Sequence, residues 1–343
     1  MTGPSQKVAY LDFATQLGMF TIATRSTAWA FSQRTYTRLP ICKSSNGMTN
    51  GHNRSSAIKH GVCISAAMWN AWDLIANLRG VGWDGPPKMH IAKPYFQVES
   101  RLVFFLLSLG RAVLMALVSD CLSRYIHSFG PDTFGTPKGG TIFDHTLPPL
   151  ERYTKSSIVT FLSGLCAYLV IEQVYQMHAA LSTALFQQHP SQWPPLFDSP
   201  WLSTSLTSFW GRRWHQVFRE PFVMVGSKSM ERYFGRVGAT FGAFAVSGVL
   251  HDVGMRGMGR GGDTLPNLGF FLLHGAAVIL EHAWKRITGR PVGGIPGFLW
   301  VYLAFVLSGQ VVVDVWARRG MLASEFYPEA YRPSTLLLNL ISK

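Results

Sequence analysis

The chain has 343 residues, of which 48% are hydrophobic and only 14% are charged. Because soluble domains usually carry about 25% charged residues, this composition argues against an ordinary soluble enzyme and indicates a membrane protein with polar loops. The formal net charge of +13 lies in short segments between apolar runs. That distribution suits loops facing anionic lipid, and no nucleic-acid-binding module accompanies it.

The N-terminal part of the chain is predicted to be the least regular. Residues 8–31 and 61–78 each contain ionisable side chains, so each is either a poor membrane span or an interfacial helix. Residues 32–60 are rich in Ser, Thr, Asn, Arg and Lys and are predicted to form a polar loop. The domain division that follows has three parts, namely a poorly defined region 1–60, a membrane core 61–320 and a tail 321–343.

Five runs in the core are apolar and long enough to approach the roughly 20 residues that a membrane span needs. They are 102–122, 157–186, 237–251, 264–280 and 291–313. The predicted fold is therefore all-α, a polytopic transmembrane helix bundle with about five to eight spans. The four cysteines show no metal-binding spacing, so no metal site is expected.

The segment 199–222, SPWLSTSLTSFWGRRWHQVFREPF, is predicted to be an amphipathic helix. Ser203 to Ser205 offer N-caps, and Pro221 would stop the helix near Glu220. One face would be apolar, with Leu206, Phe209, Trp210, Trp214 and Val217. The other would be polar, with Arg212, His215, Gln216 and Arg219. Such a helix belongs at a membrane interface, where it could be a plain surface anchor.

A second segment, SGVLHDVG at 247–254, ends a run that is rich in small residues. One predicted helix face carries Gly235, Gly238, Gly242 and Ala245, which would allow close helix packing. His251 shares a different face with Thr240, Phe244 and Ser247. A histidine at the end of a membrane helix is a functional candidate, although a satisfied core histidine has the same pattern.

Three motifs together carry a resemblance to a known family. The first is the box of Ser205, Leu206, Phe209, Trp210, Gly211, Arg212, Arg213, Trp214 and His215. The second consists of Ser247, Gly248, His251 and Asp252, and the third is Arg79-Gly80-Val81-Gly82-Trp83. Over roughly residues 70–320 the chain resembles the wax synthase-like branch of the membrane-bound O-acyltransferases. FWGRRWH is the specific motif of the three.

The resemblance implies an integral membrane enzyme, of the endoplasmic reticulum or another endomembrane, that joins an acyl-CoA to a hydroxyl group. The acyl-CoA is a cosubstrate, and no bound cofactor is implied. An acetyl donor with a terpenoid or polyketide acceptor, as in small fungal members, is favoured over long-chain wax-ester synthesis. Membrane lipid is the other expected partner.

The resemblance also assigns roles to individual residues. His251 is the expected general base, and His215 is its rival or an oxyanion-stabilising or acceptor-holding group. Asp252 either orients His251 or caps the helix. The expected substrate-binding residues are Trp210, Arg212, Arg213, Trp214, Ser247 and Asp252. For the two arginines, contact with the phosphates of coenzyme A competes with contact to lipid headgroups.

Two hypotheses of other classes remain at this point. A haem-binding electron-transfer bundle could use paired histidines such as His251 and His274, but it leaves FWGRRWH unexplained. A transporter would be expected to show a repeat between its two halves, and none is evident in the sequence.

Overall fold

The structure is a computed structural model that describes residues 9–31, 35–39, 64–84, 89–94, 97–324 and 327–342. Most of the predicted polar loop 32–60 lies outside the described residues. The described chain is mainly helical, and its one strand pairing is antiparallel, between Thr37–Arg38 and Trp83–Asp84. This agrees with the predicted all-α class.

Ten α-helical segments can be followed along the described chain, several of them very short. They are α1 (Ala9–Ala30), α2 (Ile64–Ala76), α3 (Arg101–Ser128), α4 (Pro149–Leu185), α5 (Leu206–Ser208), α6 (Arg219–Pro221), α7 (Lys228–Gly257), α8 (Thr264–Thr288), α9 (Gly294–Arg318) and α10 (Pro333–Ile341). Two π-helical segments, Phe209–Arg213 and Phe222–Ser227, continue α5 and α6.

Five segments of the described chain are long and apolar enough to cross a membrane. They are α3, α4, the run Arg219–Gly257, α8 and α9. Their exposed surfaces carry many large apolar side chains, as lipid-facing helices require. The five predicted spans are confirmed, and the chain is an integral membrane protein. Neither α1 nor α2 meets the same length and hydropathy criteria.

The run Arg219–Gly257 is not one straight helix, because it reverses at Gly235. This glycine has φ 58° and ψ −150°, a backbone conformation that is essentially restricted to glycine. A Cβ added at Gly226 would lie 2.3 Å from the carbonyl oxygen of Gly242, which is 16 residues further along the chain. The two arms therefore pack antiparallel as a helical hairpin. The prediction that Gly235 belongs to a continuous helix face is wrong, whereas Gly242 does allow close packing.

The continuous amphipathic helix predicted over 199–222 is also wrong. After α5 the backbone widens into the π-helical segment Phe209–Arg213 and then becomes extended at Trp214, with φ −77° and ψ 150°. Pro221 does not stop a helix but lies in the first turn of the next one. A proline is tolerated there because the first backbone N–H groups of a helix have no intrahelical acceptor.

Helix α1 is fixed to the rest of the protein by a buried ion pair. The Arg25 Nε lies 2.8 Å from a carboxylate oxygen of Glu220, and both side chains are 1% exposed. The other carboxylate oxygen of Glu220 accepts hydrogen bonds from Trp29 Nε1 and Tyr36 Oη, at 3.0 and 2.9 Å. Because burying a charge is costly unless it is paired, this arrangement locks α1 against α6.

Candidate active site

A cavity of about 710 Å³ lies between α4, the hairpin, α8 and α9. Its wall is largely aromatic and aliphatic, and it falls within the size range of small-molecule binding sites. Five of the predicted site residues contribute to this wall, namely Trp210, Trp214, His215, Ser247 and His251. The broken path of the chain after α5 is what brings Trp210, Trp214 and His215 to the same side.

His251 faces this cavity with its ring held in one orientation. Its Nδ1 lies 2.8 Å from the backbone carbonyl oxygen of Ser247. Because a carbonyl oxygen only accepts hydrogen bonds, Nδ1 carries the proton in this contact and Nε2 keeps a lone pair. Thr240, Phe244 and Ser247 also line the cavity, so the predicted face of α7 is confirmed. The ring of Phe271 packs against His251 with 4.5 Å between the centroids.

Both ring nitrogens of His274 take part in a chain of hydrogen bonds. Its Nδ1 accepts a bond from Trp210 Nε1 at 3.0 Å, and its Nε2 donates to Ser308 Oγ at 2.9 Å. Ser308 in turn donates to the carbonyl oxygen of Ala304 at 2.6 Å. A haem ligand at His274 would have to break one of these two ring contacts, so the geometry counts against the paired-histidine hypothesis.

Glu281 of α8 anchors α5, which leads directly into the FWGRRWH segment at 209–215. Its carboxylate accepts from the backbone N–H groups of Leu206 and Thr207, at 2.7 and 2.9 Å. It also accepts from the Thr207 hydroxyl at 2.6 Å and from Trp300 Nε1 at 2.9 Å. Four donors on one buried carboxylate fix this segment relative to α8 and α9. Glu281 was not predicted from the sequence, although an ionisable side chain just beyond the apolar run 264–280 was a usable signal.

His215 lies in the extended chain that follows the π-helical segment. Burial, with smaller contributions from His251 and Arg79, lowers the pKa of His215 to about 3. The side chain is therefore neutral at physiological pH. Its Nδ1 is closed off from solvent and has no hydrogen-bond partner among the described residues. Unlike His251, this ring is not oriented by a hydrogen bond through that nitrogen within the described chain.

The other three predicted site residues do not line the cavity. Arg213 Nη1 donates to the carbonyl oxygens of Asp198 and Ser199, at 2.9 and 3.0 Å, so its guanidinium holds a loop. Arg212 is exposed outside the cavity wall. The carboxylate of Asp252 accepts bonds from α7 and α8 side chains, at Arg256 Nε, Thr264 Oγ1 and Asn267 Nδ2. These contacts tie Asp252 to the helix junction and not to the His251 ring.

The Arg79-Gly80-Val81-Gly82-Trp83 motif supports the same region from outside the cavity. Buried Arg79 donates to the carbonyl oxygens of Pro194 and Pro195, at 2.9 and 3.1 Å, and to Tyr175 Oη at 3.2 Å. The loop that it holds leads into the FWGRRWH segment. The three sequence motifs therefore converge around one cavity.

The cavity is elongated along the helices that form it. On α7 its wall extends from Ala239 to His251, and on α8 from Phe270 to His282. Each pair is twelve residues apart, which corresponds to about 18 Å along a helix. The end at His282 is open, because this residue is exposed and also part of the wall. His251 lies at the opposite, buried end.

These features define a helical membrane protein with a half-buried histidine at the inner end of a long apolar cavity, and comparison with known proteins agrees. Residues 193–273 match the family described as membrane bound O-acyl transferase. The acetyltransferase ataH of Aspergillus terreus is 30% identical over 268 residues, which cover 69% of this chain and 86% of that protein. The chain therefore belongs to the membrane-bound O-acyltransferase family, and its resemblance to the wax synthase-like branch is confirmed.

Two further relatives are matched over shorter stretches. The acetyltransferase eriL of Hericium erinaceus is 30% identical over 45% of this chain and 44% of its own length. A probable long-chain-alcohol O-fatty-acyltransferase of Arabidopsis thaliana is 32% identical over 45% of this chain and 50% of its own length. The chain thus spans about half the length of these two relatives.

Proposed function

We propose that the protein transfers an acyl group from an acyl-CoA to the hydroxyl of a lipophilic alcohol, with His251 as the general base. The observation that carries this proposal is the fixed orientation of His251. Its Nδ1–H bond to Ser247 leaves the Nε2 lone pair free, at the buried end of an apolar cavity. A base held in this way suits the deprotonation of an alcohol, which typically contributes about 10²–10⁴-fold to the rate.

The proposed reaction needs no covalent enzyme intermediate. Nε2 of His251 takes the proton of the acceptor hydroxyl while the alcohol oxygen attacks the thioester carbonyl carbon. The tetrahedral intermediate then collapses, the carbon–sulfur bond breaks, and the imidazolium returns the proton to the leaving thiolate of coenzyme A. Neutral His215, in the same wall, can donate one hydrogen bond to the oxyanion or to the acceptor but cannot supply a positive charge.

The length of the cavity supports a position for the phosphates of the acyl-CoA donor at its open end. Arg236 of α7 and Arg286 of α8 lie beyond the open end, each exposed. Arg236 is 15 residues from His251, and Arg286 is 15 residues from Phe271, so each is about 22 Å from the buried end. The arm of coenzyme A between sulfur and the nearest phosphorus contains about 13 bonds and extends to roughly 15 Å. An arginine side chain is long enough to span the remaining distance between the helix and the phosphate.

This proposal predicts a donor-specific effect at the open end. Arg236→Ala and Arg286→Ala should each raise the KM for acyl-CoA by roughly three- to fivefold, as expected for the loss of one exposed charge pair. The KM for the alcohol should change little, because the acceptor hydroxyl lies at the buried end. Steady-state kinetics with each substrate varied in turn measures both values.

Arg212→Ala is the matched control, since Arg212 is exposed and lies outside the cavity wall. If Arg212→Ala raises the donor KM while Arg236→Ala and Arg286→Ala do not, the phosphates bind beside the FWGRRWH segment, as the motif suggests. If the arginine variants raise only the acceptor KM, the open end belongs to the alcohol.

For the substrates, we propose an acetyl donor and a terpenoid or polyketide acceptor, with long-chain wax-ester synthesis as the second candidate. Of the three relatives described above, two are named acetyltransferases and one is named a probable long-chain-alcohol O-fatty-acyltransferase. The apolar, aromatic wall favours a lipophilic acceptor. Incubating microsomes with labelled acetyl-CoA or long-chain acyl-CoA and a panel of alcohols tests both. Absence of ester with every pair would refute the proposed function. We also propose that the protein lies in the endoplasmic reticulum or another endomembrane.

A further inference from the structure

Helix α1 packs behind His251, on the side away from the cavity. The ring of Phe13 lies 6.4 Å from the ring of His251 between centroids. One turn further along α7, a Cβ added at Gly254 would lie 2.2 Å from Leu17 Cδ1 and 2.7 Å from Phe13 Cε2. The two helices are therefore in contact at this point, and α7 has no room for a side chain there.

The same contact continues into an apolar layer beyond the catalytic end of the cavity. The layer is formed by Ala9, Met255, Met258, Val315 and Met321, with Tyr10, Phe13 and Trp316 packed against it. Polar groups follow immediately, since α7 ends at Gly257 and Arg319 pairs with Asp263 at 2.8 Å. The α1 side chains thus lie between the His251 ring and the charged end of the bundle.

We infer that α1 closes the far side of the catalytic chamber and that Phe13 is the side chain that keeps water from His251. This inference rests on the proposed function, because a base that activates an alcohol can also activate water. Water would attack the thioester carbonyl carbon, the carbon–sulfur bond would break, and a free carboxylic acid and the thiol of coenzyme A would form. Phe13 is a positioning residue, since it acts through the surroundings of His251.

The attachment of α1 supports this role. Leu17, Thr21 and Arg25 follow Phe13 at helical spacing and are all buried, at 8%, 0% and 1% exposure. Arg25 is paired with Glu220 of α6. A helix that carries polar residues at buried positions is held by specific contacts and not by lipid. The closure is therefore part of the folded protein.

The first test measures access to His251 without relying on turnover. Full-length protein in detergent is treated with diethyl pyrocarbonate, which acylates accessible neutral imidazoles, and the peptide containing His251 is followed by mass spectrometry. Phe13→Ala should speed modification of His251 several-fold. Leu11→Ala, on the same helix at a position that is 63% exposed, should leave the rate unchanged. Phe13→Leu should fall between them. Equal rates in Phe13→Ala and the wild type would overturn the inference.

The second test compares transfer of the acyl group to the alcohol with its transfer to water. Phe13→Ala should release several-fold more coenzyme A per ester formed than the wild type, and it should release coenzyme A without any alcohol. A variant in which ester formation and coenzyme A release fall in the same proportion has only a structural defect. That result also overturns the inference. If Phe13→Ala is not recovered folded, Leu17→Ala, which removes the other α1 side chain packed against Gly254, is measured in its place. If the wild type forms no ester, the proposed function is refuted. The rate of diethyl pyrocarbonate modification of His251 still tests whether α1 closes the chamber.

Discussion

His251→Ala is expected to reduce acyl transfer by about 10²-fold or more while expression and detergent extraction stay near normal. The reduction follows from the loss of the lone pair that would accept the proton of the alcohol. The fold should survive, because the hydrogen bond that the His251 side chain makes within the described chain is to a carbonyl oxygen of its own helix. Removing it leaves no buried donor without a partner. Product formation by the purified variant, normalised to monodisperse protein, measures the effect.

Two other histidines serve as controls for this experiment. His274→Ala should lower the thermal stability, because Trp210 Nε1 loses its acceptor inside the bundle. His215→Ala should reduce turnover less than His251→Ala does, since an oxyanion or acceptor-holding role leaves the base in place. If His215→Ala abolishes turnover in a folded protein and His251→Ala does not, the two histidines have the opposite roles.

Regular helices made much of this site predictable. Over Thr240 to His251 the backbone of α7 keeps the normal helical period, so the shared face of Phe244, Ser247 and His251 could be derived from spacing. The five apolar runs were likewise sufficient to locate the membrane-spanning segments. Both features depend on local periodicity, which a single sequence contains.

The FWGRRWH segment was not predictable in the same way because distant groups decide its path. Glu281 binds the backbone N–H groups of α5, directly before this segment, and Arg79 holds the carbonyl oxygens of the preceding loop. With these contacts, the segment leaves the helical path at Trp214, which brings Trp214 of one predicted face and His215 of the other into the wall of the same cavity. Helical periodicity describes a chain that bonds only to itself, so it could not reveal this break.

The hairpin reversal was missed for a related reason. Gly235 and Gly242 are spaced as in a helix face that packs closely against a neighbour, and that spacing is the same whether or not the chain reverses. What distinguishes them is the positive φ of Gly235 and the contact of Gly242 with Gly226. Both depend on the tertiary fold.

Gly242→Ala is expected to disrupt this hairpin and, with it, the catalytic chamber. The added Cβ would lie 2.3 Å from the carbonyl oxygen of Gly226 and 2.7 Å from its carbonyl carbon. Because both are backbone atoms, relief requires the two arms to separate by about 1 Å. Overpacking of this kind typically costs about 1–3 kcal/mol and at times more. Both the yield of monodisperse protein and its thermal stability in detergent should fall, and turnover should fall with them, since the two arms provide Arg219 and His251 to the cavity wall.

Gly110→Ala provides the matched control, because Gly110 also lies within a membrane-spanning helix but a methyl group added there would meet no neighbouring atom of the described residues within 4 Å. This variant should be extracted, melt and turn over like the wild type. Gly226→Ala places its methyl group against the same contact from the other arm, 2.3 Å from the carbonyl oxygen of Gly242, and should reproduce the Gly242→Ala defect. If both hairpin variants behave like Gly110→Ala, the arms are not in backbone contact and the chain continues as a single helix through Gly235.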